Sequence, residues 1–475
     1  MSFTEPLFLV YVVACAALNS RVPARFRAGF LLLASYIFYF TWSIPAAGLL
    51  AGLTILAYVT ARKVDQERAG DKHGLAWLGI ATVIFLVACL AAFKIALLTP
   101  SHGIAGLVMP LGISYYTFKL ISYVLEVHWG KLPAETDFIN FASYVAFFPQ
   151  IVAGPIQRPG DFLAQLPAKP QSATAAWSRI AWGFAKKLVI ADNLAPIVNA
   201  IYSHVSGLHG LPLLLGFYVF PLQLYADFSG LTDIAIGVGR LFGITGPENF
   251  NRPYTRTSVS EFWRYWHMSL TTWLQDYVFV PLRMATREAG NLGLVISLTA
   301  MMVAIGLWHG VSVGFLVFGL LNAAYLSVDA LTGRRRGKFF KKNPRWNTAG
   351  NWLGWLLTFH LVLLSEVFWR APRFSDALVF LGSMWRGIGS STPLFENLID
   401  STGARALLVG LVGYLIMELG ERYRPDLWIR DVYFSGPRWV RWSFTSAGVV
   451  IGTLCVALLI AHAGAKKSPF LYEIF

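Results

Sequence analysis

An all-α fold that crosses a lipid bilayer many times is predicted by three features of this sequence. Its composition is apolar, its apolar runs have helical length, and its basic residues collect in the short segments between those runs. Hydrophobic residues fill 56% of the 475 positions and charged residues 13%, whereas soluble domains devote about a quarter of their residues to charge. Mean hydropathy is +0.55, which excludes a soluble globule. Aromatic residues make up 15% of the chain, with 17 Trp, a bias that suits amphipathic rings at a membrane interface or around a pocket within it.

Apolar runs cover 6–18, 28–42, 46–61, 75–98, 104–125 and 138–153 in the first part of the chain. They resume at 211–226, 291–308, 311–331, 351–370, 404–419 and 441–463. Lipid offers no hydrogen bonds to the backbone, so each run is read as a helix. Several are shorter than the roughly 20 residues that span a bilayer unaided. Those are expected to be extended by polar turns, buried obliquely or re-entrant, around a locally thinned or cavity-containing centre. The stretch 170–190, with Trp177, Trp182, Lys186 and Lys187 among Ala and Ile, reads as an amphipathic helix at the interface or on the surface. No repeat of roughly 20–50 residues and no low-complexity tract appears, so 1–475 is read as one membrane domain.

The net charge of +14 points to membrane topology rather than nucleic acid, because Lys and Arg cluster between apolar runs. Arg21, Arg25 and Arg27 follow the first run, and Arg62, Lys63, Arg68 and Lys72 the third. Two crossings separate these segments, so both are expected in the cytoplasm. Arg334, Arg335, Arg336, Lys338, Lys341, Lys342 and Arg345 mark another cytoplasmic loop, and 422–441 a later one. Both chain termini are then expected outside the cytoplasm. Met1 to Glu5 carries no basic leader and no clear cleavage site precedes Arg21, so the first run is expected to be retained. Cys15, Cys89 and Cys455 lie in apolar runs without metal or disulfide spacing.

Chemistry is concentrated in three segments. Residues 258–283 are too polar to face lipid and too aromatic for a solvated loop, which predicts a buried helix. Ser258 and Glu261 fit a capping box at its start. Trp263, Trp266, His267, Leu270 and Leu274 then share a face. His267 either hydrogen-bonds a backbone carbonyl or serves chemistry, and Glu261, Arg264, Asp276 and Arg283 beside it need partners or water. Gly306-Leu307-Trp308-His309-Gly310 lies between two apolar runs. Its imidazole is of a kind that titrates near neutrality and suits general-base work, although a helix-turn histidine fits the five residues equally well. In the third segment, Tyr225, Ser229 and Asp233 are spaced four apart on one helical face, with Asp227 elsewhere. Carboxylates at such depth fit a polar channel or structural ion pairs.

The chain resembles the membrane-bound O-acyltransferases, within them the bacterial branch of alginate O-acetyltransferase type. The resemblance rests on Met109–Phe118 (MPLGISYYTF), Phe147–Ile156 (FFPQIVAGPI), Ala226–Gly230 (ADFSG), Pro247–Asn251 (PENFN), Phe262–Leu270 (FWRYWHMSL) and Leu307–Gly310 (LWHG). It implies about a dozen helices around a central tunnel, with His309 at the position of the catalytic histidine and His267 at a second active-site position. Asp227, Ser229, Asp233, Asn249, Asn251, Trp263, Trp266 and Trp308 are the candidate tunnel residues. The implied reaction moves an acyl group, acetyl foremost, from a cytoplasmic thioester such as acetyl-CoA to a hydroxyl of an extracytoplasmic polysaccharide. An esterase-like partner protein is the alternative acceptor, as a relay. No bound cofactor, metal or nucleic acid is implied.

After Leu282 the chain reads Arg283 to Asn291 where the alginate type commonly has a Gly-Gly-Asn-Arg-like turn. That detail leans toward the D-alanyl-transfer branch. A transporter or channel would use similar intramembrane polar residues, but no inverted repeat is visible. His360 and Glu366, inside one apolar run, are read as structural.

Overall fold

The computed structural model describes residues 3, 5–70, 74–96, 110–152, 154–166, 173–387 and 401–423, with a few more between 437 and 446. Among these, seven helices are long and apolar enough to cross a bilayer: Ile44–Ala69, Ala76–Ala96, Leu211–Leu241, Arg287–His309, Val313–Lys342, Pro344–Arg370 and Gly403–Arg422. Helices and loops account for the described residues, without a strand. The protein is an all-α, multi-pass membrane protein. Trp77, Ile84 and Phe85 on Ala76–Ala96 are exposed, which lipid favours and water does not. Most of the expected run 441–463, Cys455 included, lies outside the described residues.

Two compact units divide the chain. The first draws on Met1–Gly183 and Leu231–Pro247. In it, Ile113–His128 is buried continuously from Ile113 to Leu125, polar Ser114, Thr117, Lys119 and Ser122 included. The run 138–153 forms two short helices, Phe138–Ala146 and Phe148–Ile151, rather than one span. Asp137 caps the first by accepting from the Ile139 amide at 2.7 Å. The chain turns at Phe147 (φ −48°, ψ 103°), and Pro149, which has no amide hydrogen, occupies the first turn of the second helix. Buried Lys119 holds this bend, donating to the Tyr144 carbonyl and to Gln150 Oε1, both at 3.0 Å. Arg179, on the helix Ala173–Ala185, donates to Asp233 at 2.7 Å.

The second unit draws on Phe184–Gly230 and Glu248–Phe444. The stretch expected at an interface continues past Ala185 into a π-helical turn, Lys186–Ala191, and its lysines point inward. Lys187 Nζ lies 2.6 Å from Asp227 and 2.8 Å from Asp192, and Lys186 Nζ lies 2.5 Å from Glu421. These counter-charges account for both burials. They also explain why the helix expected over 211–226 runs the full 31 residues of Leu211–Leu241, since its carboxylates are neutralised rather than exposed to lipid. Arg334 to Lys342 likewise belong to a helix, not a loop. Val313–Lys342 has 30 residues, about 45 Å of helix against a hydrocarbon core of about 30 Å, so its basic end clears the bilayer.

The helices Gly290–His309 and Val313–Lys342 form a tight hairpin. Ser312 caps the second helix by accepting from the Phe315 amide at 3.2 Å. A Cβ on Gly306 would stand 2.2 Å from the Phe315 carbonyl oxygen, and one on Gly319 would stand 2.7 Å from that of Met302. Small residues let the two backbones touch, as in helix pairs within lipid. Gly306→Val is therefore expected to force the hairpin apart at the end that carries His309. Its unfolding midpoint in detergent should fall by several degrees or the protein should fail to accumulate, because overpacking costs about 1–3 kcal/mol or more. A melting curve identical to wild type would contradict this packing.

Candidate functional site

Residues 258–283 do not form one helix. Ser258 starts Val259–Tyr265 by accepting from the Glu261 amide at 3.2 Å. The Glu261 carboxylate then takes the Thr257 amide at 3.1 Å, one residue earlier than the capping box predicts. The helix stops at Trp266, and His267 adopts a left-handed conformation (φ 41°, ψ 53°) before Met268–Leu274 begins. Such a backbone is strained for a residue with a Cβ. Asn249 stabilises it: its carbonyl accepts from the Met268 amide at 2.9 Å and its Oδ1 from the Ser269 amide at 3.1 Å, satisfying the first amides of the new helix.

The break turns the His267 imidazole into an aromatic wall. Its ring lies 4.7 Å from that of Phe228 and 5.7 Å from that of Trp308, centroid to centroid. Burial in this wall disfavours the charged imidazolium. Trp308 also meets His309, at 4.9 Å, and thus touches both imidazoles. His309 ends the helix Gly290–His309 and is packed by the rings of Trp369 at 5.6 Å, Phe315 at 6.1 Å and Phe318 at 6.4 Å.

His309 faces a narrow pocket with room for about one water molecule. Trp263, Trp266, Asn322, Glu366 and Trp369 share its walls. The Trp263 indole donates to Asn322 Oδ1 at 3.1 Å, and the Tyr254 hydroxyl donates to Glu366 Oε1 at 2.7 Å. Aromatic walls with a few convergent polar groups have the chemical character of a small-molecule site. Its histidine can exchange a proton with a bound hydroxyl, and its aromatic walls strengthen each polar contact inside.

Of the residues singled out from the sequence, His309, Trp263 and Trp266 come together on this pocket, and Trp308 and His267 lie behind it. Asn249 serves the helix break. Asn251 is exposed, its amide donating to the Tyr265 carbonyl at 3.1 Å. Asp227 is paired with Lys187, Ser229 is buried on the same helix, and Asp233 lies in the first unit with Arg179. His360 is half-buried, 3.1 Å from the Tyr218 hydroxyl, while Glu366 lines the pocket. Glu366 and Asn322 were visible in the sequence only as polar residues inside apolar runs. Among the described residues, no group of three or more His, Cys, Asp or Glu is placed to hold a metal.

The sequence model of the membrane-bound O-acyltransferase family matches residues 131–365, a range that holds both histidines. A probable alginate O-acetylase of Pseudomonas putida is 31% identical over 473 residues, covering 95% of each chain. A peptidoglycan O-acetyltransferase of Helicobacter pylori is 30% identical, covering 80% of this chain and 79% of its own. A teichoic acid D-alanyltransferase of Bacillus subtilis is 31% identical, covering 55% of this chain and 69% of its own.

Proposed function

The chain belongs to the membrane-bound O-acyltransferase family and is an O-acyltransferase, and from that premise we propose that it acetylates a cell-surface polysaccharide. The donor in this reading is a cytoplasmic thioester such as acetyl-CoA. The acceptor is a hydroxyl of an extracytoplasmic glycan, reached directly or through an esterase-like relay protein. His309 on the wall of an aromatic-lined pocket carries the reading. The acetylase relatives support acetyl over D-alanyl because those of P. putida and H. pylori align over 95% and 80% of the chain, whereas the D-alanyltransferase aligns over 55% of it. That alignment also favours 1–475 acting as a single catalytic domain.

In the proposed reaction His309 takes the proton of the acceptor hydroxyl as its oxygen attacks the thioester carbonyl carbon. The new C–O bond forms, the C–S bond breaks as the tetrahedral intermediate collapses, and His309 returns the proton to the departing thiolate. Neutral His267, set behind Trp308, steadies the indole and through it the His309 ring. The aromatic enclosure keeps water from competing with the acceptor. In a bacterial inner membrane the basic segments at 21–27, 62–72 and 334–345 face the cytoplasm and both termini lie outside.

Sealed vesicles of known orientation test this reading. Acetyl-CoA labelled in the acetyl group is expected to label the polysaccharide covalently only when supplied to the cytoplasmic face. Entry of an unaltered small molecule without covalent label would instead make the protein a transporter, and label arriving only from D-alanyl thioester would replace the acetyl group.

A further inference from the structure

The helix Val313–Lys342 ends in a cationic stripe that the transfer reaction does not use. Arg334, Arg335, Lys338, Lys341 and Lys342 are all exposed. At about 100° per residue they fall within one arc of about 120°, with exposed Phe339 at its edge. The opposite face is committed to the protein. Asp329 pairs with Arg336 and accepts from the Ser260 amide at 3.0 Å. Phe340 lies against Gly350 of the helix Asn347–Arg370, where a Cβ would stand 2.3 Å from its ring. None of the five stripe cations forms an ion pair among the described residues, and the sequence holds no Asp or Glu from 330 to 365. Like charges three and four residues apart repel one another, so the stripe calls for an anion from outside the chain.

Position identifies that anion. Arg334 stands 21 residues after Val313, about 32 Å along the helix against a hydrocarbon core of about 30 Å. The stripe therefore begins where hydrocarbon gives way to headgroups. The contact of Phe340 with Gly350 sets Trp352 level with Lys338, and Trp346 lies in the turn between the two helices. Phe339, Trp346 and Trp352 are each at least half exposed. Large rings open to the surroundings beside lysines suit headgroup depth, where one side is apolar and the other wet. We propose that this stripe is a seat for anionic phospholipid headgroups, its ammonium and guanidinium groups donating to phosphate oxygens while the three rings lie among the upper acyl chains. Charges that only orient a chain across the membrane need no common face; a lipid seat needs one. The inference holds whichever acyl group is transferred.

The test places the full-length protein in phosphatidylcholine vesicles with a trace of spin-labelled phosphatidylglycerol or spin-labelled phosphatidylcholine. Electron paramagnetic resonance reads the fraction of each label immobilised at the protein. Wild type is expected to hold the phosphatidylglycerol label about fivefold more strongly, the factor one cation supplies near a membrane surface, and to lose most of that preference in about 1 M salt. K338Q/K341Q/K342Q removes three charges from the exposed face and spares the packed one. It should melt as wild type does while its preference falls below about twofold. R25Q/R62Q/K63Q, which removes three charges from other basic segments, should keep the preference. Equal retention of the two labels by wild type overturns the inference and leaves the stripe to a soluble acidic partner. A preference that survives in K338Q/K341Q/K342Q or in high salt overturns it, as does an equal loss in R25Q/R62Q/K63Q, which would make the attraction a matter of net charge.

Discussion

Replacing His309 with alanine is expected to lower the rate of acetyl transfer by about 10³-fold while leaving the protein folded and inserted. General-base catalysis contributes about 10²–10⁴ in rate, and among the residues gathered on the pocket His309 is the one suited to take a proton from a neutral hydroxyl. Its side chain ends a helix and packs against Trp308, Phe315, Phe318 and Trp369. Truncation leaves a small gap among rigid rings without stranding a charge, so the structural cost should be modest. The measurement is turnover of H309A at saturating acetyl-CoA, alongside its thermal unfolding in detergent. Turnover within a few-fold of wild type, in protein with a normal melt, would remove His309 from the chemistry. His267→Ala should cost less, because that ring does not line the pocket and acts through Trp308.

The largest loss of stability is expected at Lys187. Its ammonium is 5% exposed and lies between Asp227, itself 3% exposed, and Asp192. Lys187→Met leaves the Asp227 charge buried without its counter-ion, and breaking a buried pair in this way costs about 3–5 kcal/mol. The double variant K187M/D227N removes both charges and should recover most of that loss, which a double-mutant cycle of unfolding free energies would measure. The same double variant separates two roles for Asp227. Recovery of both stability and acetyl transfer would make the carboxylate a structural counter-charge, whereas recovery of stability alone would place it on the substrate path. A double variant as unstable as K187M would contradict the pairing.

Several features were legible without a structure because they are local. The all-α membrane fold follows from apolar runs and sparse charge, since lipid leaves the backbone no other solution. The start of Val259–Tyr265 at Ser258 follows from a cap that needs only three further residues. His309 stood out through its place in the Leu307–Gly310 family motif, since the five residues around it fit a helix-turn histidine equally well. The extent of Leu211–Leu241 was not legible: the apolar run stops at 226, just before Asp227, and the cations that pair with Asp227 and Asp233, Lys187 and Arg179, lie 40 and 54 residues away. The inward turn of Lys186 depends on Glu421, 235 residues distant.

By itself, then, the sequence determined that this chain lives in a membrane as helices, that it carries the motifs of an acyltransferase family, and that His309 and His267 are its histidines of interest. These follow from periodicity, composition and short motifs, which a chain carries before it folds. Only the tertiary structure decided that 258–283 breaks at His267, because the cap for the second helix comes from Asn249 across a turn. It also decided that Glu366 shares a pocket with His309 while His360 on the same helix does not. Six residues along a helix turn a side chain through about 600°, onto a different face. Which face meets a pocket is settled by the helices packed around it.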